Sequence, residues 1–199
     1  MSRKVFDILA STGGVVIVVV LVIAGGLLTW GHSFVNSNVH DQLAQQQIYF
    51  PPQAAFQHAK AGTEITPSMI PSVSQYAGQQ LTTGAQAKVY ANDFIKVHLS
   101  EMPYGGVYSK VSAASMADPT NPKLAGLKAT TFQGTTLRGL LLEAYAFSTI
   151  GSIMLFGAIA AFVAAAIFAV LVGLGFWHAR RTTEETKLFE AKAEPVIAS

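Results

Sequence analysis

Two long segments without a single Asp, Glu, Lys or Arg, Ile8–Gly31 and Ala144–Ala179, constrain this 199-residue chain more than anything else in it. Each exceeds the roughly 20 residues that a helix needs to cross a bilayer core about 30 Å thick. The expected fold is therefore an all-α membrane protein. Two transmembrane helices, residues 8–31 and 144–179, flank a small extracytoplasmic helical bundle at 32–143. Residues 1–7 form a cytoplasmic N-terminus and residues 180–199 a cytoplasmic tail.

The orientation follows from the basic residues beside the spans. Arg3 and Lys4 precede the first, Arg180 and Arg181 follow the second, and no Lys or Arg occurs between Gly31 and Lys60. Positive charge stays on the cytoplasmic side, which places both termini inside and the middle outside the plasma membrane. The first apolar run is longer than the hydrophobic core of a removable signal peptide, and no small-residue cleavage site follows it. Trp30 suits an interfacial anchor instead, so the segment is expected to be retained.

Composition removes several function classes. The external part carries seven basic and six acidic residues, too balanced a set for binding nucleic acid. The chain has no cysteine, which excludes disulfides, thiolate metal sites and cysteine nucleophiles. No nucleophile elbow, phosphate loop, dinucleotide fingerprint or H-E-x-x-H motif is present. The expectation is a protein that is not an enzyme and has no cofactor.

The second apolar segment is longer than a bilayer requires. Its 36 residues would make a helix of about 54 Å. Upstream, Leu137, Leu140, Leu141 and Tyr145 keep helical spacing, so the second span is expected to be continuous with a stalk helix from about Thr130 to Arg181. Gln42–Ile48 extends the first span until Pro51–Pro52 stops it. Between the stalks, Thr83-Gly84-Ala85-Gln86 fits a capping box. The helix that follows, to about Met102, puts Ala87, Tyr90, Ala91, Phe94, His98 and Met102 on one face. Pro103–Gly106 ends it, Tyr108–Met116 makes a shorter helix, and Asp118–Pro122 makes a turn with Pro122 suited to the first position of the next helix. Pro51–Pro71, with four prolines, reads as an irregular excursion.

Three sets of residues invite a functional reading. Gly157, Ala161, Ala165, Ala169 and Gly173 recur at every fourth position of the second span, a helix-packing face that lets another helix approach closely. Its partner is the first span, a second copy or another membrane protein. His98 and Glu101, one turn apart, make the closest pairing of metal-ligand type, although His98 on an apolar face fits a buried, hydrogen-bonded histidine better than a metal ligand. Tyr49, Phe50, Phe56, Tyr76, Tyr90, Phe94, Tyr104 and Tyr108 are expected to build the core, with a lipid or quinone groove as the other use of such a set.

The stretches Gln75–Ala87, Tyr90–Ile95, Ile48–Pro52 and Leu137–Tyr145 carry a resemblance that runs nearly end to end. In them the chain resembles an uncharacterised family of small two-span actinobacterial membrane proteins. Members of that family are sometimes labelled aromatic ring-opening dioxygenases. Such chemistry implies iron held by two histidines and a carboxylate, and no such triad is recognisable here. The leading expectation is a structural or accessory subunit that docks its external domain on a partner or on its own copies. The alternatives are a ligand-binding or sensor module acting through another subunit and, more remotely, an iron-dependent dioxygenase.

Overall fold

A computed structural model describes residues 3–181. The cytoplasmic tail expected at Thr182–Ser199 lies outside the described residues. The described residues are all-helical, and two of their helices are long and apolar enough to cross a membrane. These are α1 (Arg3–Gln45) and α7 (Pro122–Arg181). Between them come α2 (Gln53–Phe56), α3 (Ile70–Val73), α4 (Gly84–Val89), α5 (Lys96–Glu101) and α6 (Tyr108–Ala117), with short 3₁₀ turns at 67–69, 74–76 and 103–106. The chain divides into two compact units: Met1–Trp30 with Met154–Ser199, and Gly31–Ile153.

In the first unit the two helices run antiparallel. Asp7 meets His178, Gly14 lies under Val172, Gly25 under Phe162, and Gly157 faces Leu28, so one index rises as the other falls. The covered positions step by three and four residues: Ser11, Gly14, Val18, Leu21, Gly25 and Leu28 on α1, and Met154, Ala158, Ala161 and Ala165, then Val172, Gly175 and Ala179, on α7. That 3.5-residue period is the spacing of coiled-coil packing. Away from this seam the surface is almost wholly apolar. In the most apolar 18-residue stretch of each helix, only 17% and 11% of the residues are buried. Water would not tolerate so large an uncovered apolar area, and lipid would.

The second unit has its own core. Phe50, Met69, Val73, Leu81, Ala87 and Ala91 are almost fully buried, with Val39, Leu43 and Leu141 packed onto them. Each large aliphatic or aromatic side chain so buried contributes about 1.5–3 kcal/mol. The chain leaves α1 earlier than the prolines alone would dictate. Gln47 takes a left-handed conformation (φ 52°), and the Gln80 carboxamide donates to the Ala44 carbonyl at 2.8 Å, satisfying one of the carbonyls that a helix end leaves open. Residues 48–51 then pair with 78–81 through Phe50 N–H to Gln79 O (2.9 Å) and Leu81 N–H to Ile48 O (2.8 Å), around the isolated bridge Tyr49–Gln80. The proline-rich excursion contains α2, the 3₁₀ turn at 67–69 and the start of α3, and it delivers Phe56, Ile65 and Met69 to the core.

The capping box forms as the residues dictate. Gln86 N–H donates to Thr83 Oγ1 at 3.2 Å, and Gln86 Oε1 accepts from the N–H groups of Thr83 (3.1 Å) and Thr82 (2.9 Å). Gln86 is buried, and its own amide donates to Gln79 Oε1 at 3.0 Å. Gly84 sits so close to Ser148 of α7 that a Cβ would collide with that side chain.

The expected face of the following helix needs correction. Residues Tyr90–Ile95 form a π segment between α4 and α5. Buried positions run Ala87, Ala91, Ile95 and Leu99, while Phe94, His98 and Met102 are only half-buried. In a regular helix four residues overshoot a turn by about 40°, so this row would drift around the axis. The wider i→i+5 turn of the π segment takes the drift back. The helix then ends in a left-handed run, Tyr104, Gly105 and Gly106, and a Cβ on Gly106 would strike the Leu99 carbonyl. The stalk helix starts at Pro122, its first residue, rather than near Thr130.

Gln86→Leu leaves two backbone N–H groups without an acceptor and should cost about 2–3 kcal/mol. Thr83→Ala removes a single cap and should cost about 1 kcal/mol. Thermal unfolding followed by circular dichroism in mild detergent should rank the midpoints wild type, Thr83→Ala, Gln86→Leu from highest to lowest.

Candidate functional site

The second unit contains a cavity of about 460 Å³ between the last turns of α1 and the middle of α7. Its floor is buried and apolar: Val39, Leu43 and Leu141, with Val35, Ile48 and Ala144 half-buried beside them. One rim is a row of carboxamides, Asn38, Gln42 and Gln46, one helical turn apart. The other is largely hydrocarbon, with Leu137, Leu140 and Phe147, and Phe34 closes one end. The volume falls within the range of about 300–1,000 Å³ typical of small-molecule sites, as does the mix of apolar wall and few polar groups.

The electrostatics of this groove are simple. None of its described lining residues is Lys, Arg or His, and Glu143 is the one that ionises. Asn38 spends its amide on the Phe34 carbonyl, and Gln42 reaches Asn38 Oδ1 only at 3.5 Å. The Gln46 carboxamide makes no hydrogen bond among the described residues, so it has donors and an acceptor to offer. The arrangement can hold a hydrocarbon chain along its floor and a neutral polar group at its rim. Its described lining residues include no Ser, Thr, Tyr, Cys, Lys or His.

The seam between α7 and the π segment is more polar. Arg138 Nη2 donates to Asn92 Oδ1 at 2.9 Å, and Arg138 Nε is buried without a hydrogen bond. Lys88 Nζ sits 4.8 Å from the centre of the Tyr145 ring and 3.4 Å from its hydroxyl. At the lower end of the unit, the His32 ring donates from Nδ1 to the Gly151 carbonyl at 2.8 Å, which leaves Nε2 as the basic nitrogen.

His98 and Glu101 both lie on α5, but they do not meet. The His98 Nδ1–H donates to the Phe94 carbonyl at 2.9 Å, its ring stands edge-on to Phe94 at 4.6 Å, and Glu101 is exposed. His98 ends an aromatic file, Phe50–Tyr90–Phe94–His98, with centroid spacings of 5.3, 4.7 and 4.6 Å. Burial, and then the charge of Glu64, push the Tyr90 phenol above its usual range, so it stays protonated. No three His, Cys, Asp or Glu side chains among the described residues converge as metal ligands. The wider aromatic set is split: Phe50 and Phe56 are buried, whereas Tyr49, Tyr104 and Tyr108 are exposed.

The row of small residues is split as well. Ala165 is buried, Gly157 and Ala161 are half-buried, and Ala169 and Gly173 are exposed. Gly157 faces Leu28 of α1, whereas nothing lies within 4 Å of a Cβ built on Gly173. A strict four-residue row turns about 40° with each step, so its members cannot all face one neighbour along a straight helix. The seam uses steps of three and four instead, and takes Val172 and Gly175 where the row has Ala169 and Gly173.

The groove escaped sequence reasoning. The signals that belong to it are the Asn38, Gln42, Gln46 spacing beyond the first span and the Leu137, Leu140 spacing before the second. Comparison of the chain with protein-family models, with curated proteins and with solved structures found no match in any of the three.

Gly25→Leu drives a side chain into the Phe162 ring, whose atoms lie 2.8 Å from the built Cβ, and should destabilise the helix pair by about 1–3 kcal/mol. Gly173→Leu should leave the thermal midpoint of the monomer unchanged. The pair of midpoints, measured in detergent, separates the three-four seam from the four-residue row.

Proposed function

We propose that this is a non-enzymatic accessory protein of the plasma membrane, with both termini cytoplasmic and residues 32–143 extracytoplasmic. In this reading α1 and α7 each cross the bilayer, and the second unit is a helical domain presented at its outer face. Its task is to dock on a partner membrane protein or on further copies of itself. This role accords with the resemblance to two-span actinobacterial proteins noted above.

The observation that carries the proposal is the outward face of α7. Ala169 and Gly173 are left uncovered by α1, and with Ala160 and Ala166 they are small residues on an exposed surface that also carries Ile159, Phe162 and Val170. In lipid, where burial of hydrocarbon gives no drive, close backbone approach at small residues is a principal source of helix association. The charge pattern of Arg3, Lys4, Arg180 and Arg181 supports the orientation.

A second reading, a ligand-binding module that acts through another subunit, is favoured by the 460 Å³ groove. The dioxygenase label gains nothing from the geometry of His98, whose Nδ1 is engaged by a backbone carbonyl. Metal analysis of the purified protein should return no stoichiometric iron, and iron at one per chain would reverse the assignment of no enzymatic role.

The chain has no native cysteine, so single-cysteine variants report cleanly. Gly173→Cys in native membranes should give a disulfide-linked dimer or a crosslink to an envelope protein. A chain that stays monomeric and uncrosslinked there, while folded, would overturn the docking role. Labelling of intact cells should reach Gln57→Cys but not Ser2→Cys; the opposite pattern would invert the topology.

A further inference from the structure

We infer that the groove of the second unit binds an acyl chain of a membrane lipid whose head group carries no net negative charge. The inference rests on the membrane placement proposed above. Phe34, at one end of the groove, follows Trp30 by one turn of the same helix, about 6 Å along its axis. Phe147 lies three residues before Ile150, on the helix that carries the second apolar stretch. The groove therefore opens at the level where acyl chains meet head groups, and hydrocarbon is the solvent at its mouth.

From that mouth the lining selects. Val35, Val39, Leu43 and Leu141 offer a continuous apolar floor over a little more than two turns of α1, about 12 Å, long enough for about half of one chain. The carboxamides of Asn38, Gln42 and Gln46 along the rim can donate to ester or hydroxyl oxygens. A phosphate without a compensating cation would meet no Lys, Arg or His there and would face Glu143 instead. Like-charge repulsion at that site disfavours an anionic head group and leaves a zwitterionic or uncharged one. A second copy of the chain could cover the same apolar rim, but it would leave the amide row to pair with another amide row and gives no reason for a cavity beneath it.

The test uses full-length protein in vesicles of phosphatidylcholine containing a trace of the same lipid with a diazirine on its acyl chain. After illumination, adducts should appear on groove residues 34–46 and 137–143 as well as on the exposed residues of the two apolar stretches. Ala144→Phe, which fills the floor, and Leu140→Glu, which places a carboxylate at an exposed rim position that folding tolerates, should each cut the groove adducts roughly tenfold and spare those on the spans. A phosphatidylglycerol probe with the same chain should label the groove several-fold less. Adducts confined to the spans, or equal groove labelling by the two lipids, would overturn the inference and leave the membrane placement intact. No adduct on either apolar stretch would overturn the placement itself. A disulfide between copies carrying Leu140→Cys would show that a second chain covers the groove, and would also overturn the inference.

Discussion

Close contact between α1 and α7 in the first unit is the constraint on which the remainder depends. Gly14, Gly25 and Gly175 each lie where a Cβ would collide with a side chain of the facing helix, so the backbones approach to a distance that larger residues forbid. In an apolar surrounding this contact has to come from dispersion between well-fitted surfaces, because lipid tails are as apolar as the side chains they would replace. The Asp7–His178 contact at 2.9 Å adds a polar pairing at the end of the same seam. With that seam in place, Asp7 and His178, 171 residues apart in sequence, are held side by side.

The second unit solves a different problem. It has to build a core from short helices, a proline-rich excursion and the ends of two long helices, without disulfides. It does so in part with two carboxamides that bond backbone groups where the chain turns, Gln86 buried and Gln80 half-buried. Gln86 satisfies two backbone N–H groups and donates to Gln79, while Gln80 closes the end of α1. A buried carboxamide is costly when its bonds are unmade and specifying when they are all made. These two glutamines therefore tie the loop at 75–86 to both a helix start and a helix end.

Much of this was legible in the residues. The two apolar stretches, the helical character, the capping box at Thr83–Gln86 and the start of a helix at Pro122 all follow from local rules, whereas the unbroken run of that helix into the second apolar stretch does not. What was not legible depends on long-range packing. The π segment at Tyr90–Ile95 leaves no mark in composition, because the widened turn is imposed by the surface the helix packs on. The early end of α1 depends on Gln80, which is 36 residues distant from the carbonyl it binds. The face of α7 that α1 covers was not legible for a related reason. A row at every fourth position is easy to see in a sequence, but a pair of helices buries steps of three and four, so Ala169 and Gly173 fall outside the pair and Gly175 falls within it. The groove was hidden because its walls come from stretches about 100 residues apart.

The π segment also says something about chain length. A turn closed from i to i+5 is a regular helix carrying one surplus residue. Removing any one residue between Tyr90 and Ile95 would let the backbone relax into an uninterrupted α-helix with better hydrogen-bond geometry. The same deletion would keep Ile95 and Leu99 on the surface that Ala87 and Ala91 face, because seven residues of regular helix turn through nearly the same angle as eight that include the widened turn. The surplus residue therefore acts locally. It lies in the turn that carries Asn92, whose carboxamide accepts from Arg138. A shorter chain would keep the buried row and disturb that polar contact.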